Sequence, residues 1–289
     1  MRVCEKNDDL ILENADSFEL LHTFDCGQCF RWNYENGIFS GVASGEYLQI
    51  YEQDGNIVLK DTDTDTFERI WRRYFDLDRD YGAIKAELSR DSVLKEAIGF
   101  GGGIRILNQD AFECLISFII SASNNIPRIK KIIELLCSNF GERCCKSGHI
   151  YYKFPTADTL SSLSLSDLSV IRAGFRDKYI LAAAKAVKSG QLDLSALRCA
   201  SFDYAKSQLL RLPGVGEKVA SCILLFGLGK YEGFPVDVWV KRIMEYCYFD
   251  GERTKEEISE FAKTRFGSLG GFAQQYLFYW ARENKIGIK

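Results

Sequence analysis

The sequence contains no apolar run that approaches the length of a membrane span, so no bilayer-crossing helix is expected. Its first residues, MRVCEKNDDLILEN, lack the pattern of a secretory signal, and their early acids argue against a transit peptide. No internal repeat and no low-complexity tract interrupts the chain. An excess of positive charge is missing too. With 37 Lys+Arg against 40 Asp+Glu, the net charge is −3 and the pI is about 5.6. That balance speaks against a protein that coats nucleic acid by charge alone. Zinc-ligand spacing is also absent. Cys26-Gly27-Gln28-Cys29 has CxxC spacing, but no second pair completes a site, and Cys144-Cys145 does not supply one. The ten cysteines do not form a secreted framework either. A chain of 289 residues that is 46% hydrophobic has core enough without staples, so a reducing interior is expected.

What is present reads as α+β. Residues of about 8–60 carry strand alternation, as where Leu48 and Ile50 alternate with Tyr47, Gln49 and Tyr51. Asn36-Gly37 and Asp54-Gly55 are hairpin turn signals. Helical patterns follow at about 64–76 and 81–98, and Gly101-Gly102-Gly103 then breaks the chain. Beyond Asp110 the pattern is helical almost throughout, at about 110–122, 126–140, 156–161, 165–171, 177–189, 202–211, 216–228, 237–247, 254–265 and 270–283. The expected division is an N-terminal antiparallel sheet domain with flanking helices over 1–100 and a helical domain over 101–289. The helical part is expected to form two lobes with a cleft between them.

The stretch 211–242, RLPGVGEKVASCILLFGLGKYEGFPVDVWVKR, is the most informative. Pro213 ends one helical run, and Gly214 and Gly216 supply a tight turn with bare N–H groups at the start of the next. Such a helix start binds anions, phosphates included. A plain αα-hairpin fits the same residues. Lys218 and Cys222 lie four apart on one face of an otherwise apolar helix. A lysine there either snorkels to solvent or is desolvated, which lowers its pKa and makes the amine a nucleophile. Asp237 follows nineteen residues after Lys218 and fits a helix N-cap. The carboxylate can cap the helix and face the amine at once. Basic residues that would line a local groove are Arg128, Lys130-Lys131, Arg176, Lys178 and Lys241-Arg242.

Five segments in one order carry a resemblance: CGQCFRW, FECLISFIISASNNIPRI, LPGVGEKVASCI, FPVDVW and GGFAQQYLF. They span residues 26 to 278 and resemble the 8-oxoguanine DNA glycosylases of the helix-hairpin-helix superfamily, whose motif ends in a Gly/Pro-rich loop and an Asp. The last cysteine is Cys247, so the C-terminal iron–sulfur loop of some related glycosylases is absent.

The resemblance implies a bifunctional glycosylase/AP lyase that flips 8-oxoguanine out of duplex DNA. Lys218 would be the nucleophile and Asp237 its electrostatic partner. Gly27, Cys222, Phe226, Pro235, Gln274 and Phe278 would hold the base, with the Gln274 amide on its Watson–Crick edge and the Phe278 ring stacked on it. The Gly27 carbonyl would meet N7, which is an acceptor in guanine but carries hydrogen in 8-oxoguanine. Read from the residues alone, Phe278 also fits a core aromatic and Gly27 a turn glycine. Ser123, Asn124, Arg128, Phe175, Arg176, Gly214, Gly216 and Trp239 would contact the DNA and the base left opposite. Arg128 also fits a simple helix start after Asn125 and Pro127. Four positions depart from the family: Ser123 stands for a gap-filling Asn, Phe175 for a wedging Tyr, Trp239 for a phosphate-binding His, and Phe226 for a more flexible residue. The chemistry needs no redox cofactor and no catalytic metal. The carbonyls of Leu210, Leu212 and Val215 would hold a structural cation. The expected partner is lesion-bearing double-stranded DNA, bound by a monomer inside the cell, in the cytoplasm of a prokaryote or the nucleus of a eukaryote. Two other readings stay open: a monofunctional alkylbase glycosylase, which needs no lysine at position 218, and a non-catalytic helix-hairpin-helix module, which needs only the glycines.

Overall fold

The computed structural model describes residues 1–287. Six strands form one antiparallel sheet: β1 (Arg2–Lys6), β2 (Asp9–Glu13), β3 (Trp32–Glu35), β4 (Ile38–Ala43), β5 (Glu46–Gln53) and β6 (Asn56–Leu59). Their spatial order is β1-β2-β6-β5-β4-β3. Both hairpin signals hold, because Asn36, Gly37, Asp54 and Gly55 all take positive φ, as a two-residue reverse turn of this hand requires. Leu48 and Ile50 of β5 are fully buried, and their alternating neighbours are not.

At the edge of this sheet Trp32 pairs with Gly41. A Cβ on Gly41 would lie 2.4 Å from the indole, so only glycine lets the ring lie flat on the neighbouring strand. The indole N–H donates to the Tyr74 hydroxyl at 2.8 Å. Phe24, Trp71 and Phe75 pack around it. Truncating such a ring to Ala costs about 3–5 kcal/mol.

The helical part differs from expectation in detail. The pattern over 81–98 is two helices, Tyr81–Leu88 and Ser92–Gly101, because Asp91 caps the second by accepting the Val93 and Leu94 N–H groups. The helix after Thr64 contains a π segment, Phe67–Trp71, and the helix after Gly216 continues from Cys222 into another, Ile223–Gly227. A hairpin of β7 (Arg143–Lys146) and β8 (His149–Tyr152) and a helix over Leu194–Cys199 were not expected.

Core membership passes from the sheet to the helices between Phe75 and Tyr81, apart from Cys26 and Phe30, which join the helical core, and Leu107, which joins that of the sheet. We therefore propose dividing the chain there rather than near residue 100. The helices over 81–101 pack with the helical part, where Ser92–Gly101 lies against the helix Gly270–Asn284.

Two groups of helices result. The first joins Ser92–Gly101, Val238–Tyr248, Lys255–Phe266 and Gly270–Asn284. The second joins Ala111–Ser121, Ile126–Phe140, Asp177–Lys188 and the stretch from Phe202 to Gly227. The expected cleft lies between them.

Candidate active site

A cavity of about 780 Å³ opens where the two helix groups meet the loop Cys26–Phe30. Lys218, Cys222 and Phe226 come from one wall. Pro235 and Asp237 come from the chain leading into the next helix, Trp239 from that helix's first turn, and Gln274 and Phe278 from the C-terminal helix. Gly27, Ser123 and Asn124 complete the set. Gly27 and Phe278, 251 positions apart in sequence, thus face one volume.

The amine is placed by its helix. The chain turns at Gly214, where φ is +83°, and a Cβ there would strike the Tyr179 ring at 2.4 Å. Gly216 is extended and caps the helix Glu217–Cys222, which puts Lys218 in the first turn. Its ammonium nitrogen lies 5.4 Å from the centre of the Phe118 ring, and Phe118 stacks on Phe226 at 5.5 Å.

Asp237 caps its helix and lines the same cavity as Lys218. Its carboxylate accepts the Val240 N–H at 2.8 Å, capping the helix Val238–Tyr248. Burial raises its pKa, and the Val240 N–H, the Lys218 amine, the Trp239 N–H and Lys255 oppose that rise. Two thiols also line the cavity, those of Cys26 and Cys222. Burial pushes Cys26 up to about 12. Burial also raises Cys222, against the pull of Lys218.

Gly27 takes φ +76°, and a Cβ on it would lie 3.2 Å from the Phe278 ring. What holds this loop is Gln28, a residue that sequence reasoning passed over. It is fully buried. Its amide donates to the carbonyls of Thr23 at 2.8 Å and Arg105 at 2.7 Å and accepts the Leu107 N–H at 2.9 Å. Its own carbonyl accepts from Gln109 at 2.7 Å. Lys255, Gln275 and Arg282 also line the cavity and were not foreseen. Arg282 lies over Phe278 at 5.5 Å and pairs with Asp25 at 3.0 Å.

The residues expected at the opposite strand are arranged less openly. Arg176 is only 3% exposed. Its guanidinium donates to the carbonyls of Ala122, Ser123 and Ala173, which occupies four of its five N–H groups. It fastens the turn in which Ser123 takes φ +50°. Asn124 is tied to the same turn through the Ile120 carbonyl at 3.1 Å. Arg128, by contrast, is exposed; its backbone N–H donates to the Asn125 side chain, and among the described residues no hydrogen bond or ion pair involves its guanidinium. Phe175 is 60% exposed, with the Arg176 guanidinium over its ring at 4.4 Å.

The expected basic groove is thinner than its residue count. Lys130 donates to the Trp32 carbonyl, Lys131 pairs with Glu134, and Lys241 with Glu245. Another cavity, of about 610 Å³, includes Arg69, Arg73 and Arg198 and none of the expected site residues.

The family model for the 8-oxoguanine DNA glycosylase N-terminal domain matches residues 10–115. That for HhH-GPD superfamily base excision DNA repair proteins matches residues 116–267. The chain belongs to the 8-oxoguanine DNA glycosylase family. It is 30% identical to the N-glycosylase/DNA lyase OGG1 of Arabidopsis thaliana, over 89% of this chain and 75% of that protein. A solved structure of MBOgg1 with a low affinity DNA ligand superposes with a TM-score of 0.95 at 46% identity, covering 98% of this chain and 99% of that one. The Clostridium acetobutylicum 8-oxoguanine glycosylase/lyase, solved with double-stranded DNA containing cytosine opposite 8-oxoG, gives 0.95 at 44% identity over 99% of both chains. Within this family's fold, the amine of Lys218 and the carboxylate of Asp237 occupy one cleft with an amide and an aromatic ring.

Proposed function

We propose that the chain excises 8-oxoguanine from duplex DNA and nicks the strand behind it, acting as a monomer in base-excision repair wherever its cell keeps DNA. The observation that carries this reading is the cavity shared by Lys218, Asp237, Gly27, Gln274 and Phe278. Neutral Lys218 attacks C1′ of the flipped nucleotide. Asp237 stabilises the positive charge that develops on the sugar. The base leaves, the amine and the opened sugar form a Schiff base, and β-elimination breaks the strand on the 3′ side.

Arg128, Phe175, Gly214 and Gly216 serve the DNA around the flipped base, and Arg176 serves it first by holding the Ala122–Ser123 turn. The cation reading has a physical basis in the hairpin. The Leu212 carbonyl accepts the Val215 N–H at 3.1 Å. Among the described residues no hydrogen bond reaches the Leu210 or Val215 carbonyls, so these oxygens fit a hard cation that would brace the loop.

Excision and nicking of a duplex with 8-oxoguanine opposite cytosine, with and without borohydride, tests the proposal. A bifunctional enzyme releases the base, nicks the strand and is trapped on it. A monofunctional glycosylase releases the base without trapping, and a binding module does neither.

A further inference from the structure

Two walls of the cavity that would hold the base come from opposite ends of the chain: the Gly27 loop and Phe278 of the helix Gly270–Asn284. Gln28 anchors the loop on its inner side, and none of its hydrogen bonds reaches that helix. Arg282 supplies the connection. It stands four residues after Phe278, so both side chains lie on one face of the helix. Its guanidinium carbon lies over the Phe278 ring, 5.5 Å from the centroid. One terminal nitrogen donates to the backbone carbonyl of Asp25 and, at 3.0 Å, to the Asp25 carboxylate. Its Nε donates to Glu283 at 2.7 Å, which holds the guanidinium plane from the helix side. One group thus grips the ring and the chain two residues before Gly27.

An exposed ion pair alone contributes little, and the Asp25 carboxylate is 57% exposed. The Arg282 side chain is only 15% exposed, however, and its bond to the Asp25 carbonyl needs no carboxylate. A planar group with several fixed donors can hold a carbonyl and lie against a ring at once, which a lysine ammonium does less well. The dimension it spans has no slack. A Cβ on Gly27 would already stand 3.2 Å from the Phe278 ring.

We propose that Arg282 is a positioning residue for base recognition. It fixes the Gly27 backbone relative to the Phe278 ring, so that a base stacked on the ring meets the Gly27 carbonyl at N7. It takes no part in the chemistry at C1′. This inference rests on the glycosylase reading and deepens it.

The test separates the base from the sugar. A duplex with an abasic site presents the sugar to Lys218 and Asp237 but offers the pocket no base. Arg282→Met keeps an unbranched apolar stem and removes the guanidinium. It should slow single-turnover excision of 8-oxoguanine opposite cytosine by roughly 10-fold or more, the scale of a slightly misplaced substrate. Cleavage of the abasic duplex should slow much less. Arg282→Lys, which keeps the charge and a donor for Asp25, should fall between wild type and Arg282→Met on 8-oxoguanine. Equal slowing on both substrates would overturn the proposal, since a contact to DNA phosphate or a general loss of stability predicts that. So would no change on either. If Arg282→Met does not fold, Arg282→Lys decides by the same comparison: a loss confined to 8-oxoguanine supports the role, and equal effects on both substrates, or none, overturn it. A wild-type protein inactive on both duplexes would instead overturn the glycosylase reading, and this inference with it.

Discussion

The backbone of Gly27 and the ring of Phe278 are packed so closely that a Cβ on Gly27 would stand 3.2 Å from the ring edge. Gly27 also holds φ at +76°, a conformation that costs a side-chain-bearing residue about 1–2 kcal/mol. Gly27→Ala is therefore expected to weaken binding of lesion DNA by at least several-fold while the rest of the fold persists. Equilibrium binding to 8-oxoguanine duplex, with thermal unfolding as the control, checks this. Unchanged lesion binding would show that the loop does not meet the base.

The carbonyl of Gly27 is expected to tell oxidised from normal guanine by a single hydrogen at N7. Guanine sets a lone pair against that oxygen, whereas 7-deazaguanine sets a C–H there. Duplexes with 7-deazaguanine should thus bind better than those with guanine, by about 10-fold if the repulsion is worth about 1.4 kcal/mol. Equal binding of the two would remove N7 from the account.

Burial of Asp237 carries a pH signature. Its pKa is raised in the folded protein, so its contribution to stability is fully present below the unfolded value, about 3.9, and is lost as pH rises through the folded one. Asn is also a good N-cap. Asp237→Asn should accordingly match wild type in stability in acid and exceed it near neutrality, with turnover cut heavily. Chemical denaturation at several pH values, alongside single-turnover excision, measures both. A variant less stable than wild type at pH 7 would mean that the carboxylate's contacts outweigh its burial.

Arg128 and Arg176 should separate on mutation. Arg128 is free to donate to the O2 and N3 acceptors of an unpaired cytosine. Wild-type excision is expected to be fastest opposite cytosine by a modest margin, on the expectation that Ser123 and Phe175 fill the gap less fully than the family's Asn and Tyr, and Arg128→Ala should flatten the order. Arg176→Ala should in addition lower stability by about 1–3 kcal/mol, since it strips hydrogen bonds from the Ala122, Ser123 and Ala173 carbonyls. Excision rates opposite C, T, G and A and thermal midpoints for the three proteins decide. Arg128→Ala with the wild-type ranking intact would reduce Arg128 to a solvated helix-start residue.

The fold was largely legible because its boundaries are written in local chemistry. Asn125 with Pro127 starts one helix, Asp237 another, and Asn36-Gly37 and Asp54-Gly55 turn the hairpins. The β7–β8 hairpin was missed because its strands have four residues each and its turn, Ser147-Gly148, lies among cysteines and lysine rather than between alternating apolar runs. The i,i+4 spacings that placed Lys218 with Cys222 and Gln274 with Phe278 survive in the cavity because both are properties of a single helix. Gln28 was invisible for the opposite reason. Its hydrogen-bond partners at Arg105 and Leu107 lie 77 and 79 residues away, and nothing near Gln28 announces them. Arg176 shows a third limit. Sequence can mark a guanidinium but not how many of its donors the protein itself uses.

Everything proposed for the chemistry turns on Lys218 attacking the sugar. Borohydride trapping on a duplex with 8-oxoguanine opposite cytosine, run with wild type and with Lys218→Gln, tests it most directly. A covalent protein–DNA complex is expected with wild type, and none with Lys218→Gln although that variant still binds the lesion. A trapped complex with Lys218→Gln, or base release by wild type with no trapped complex, would contradict it.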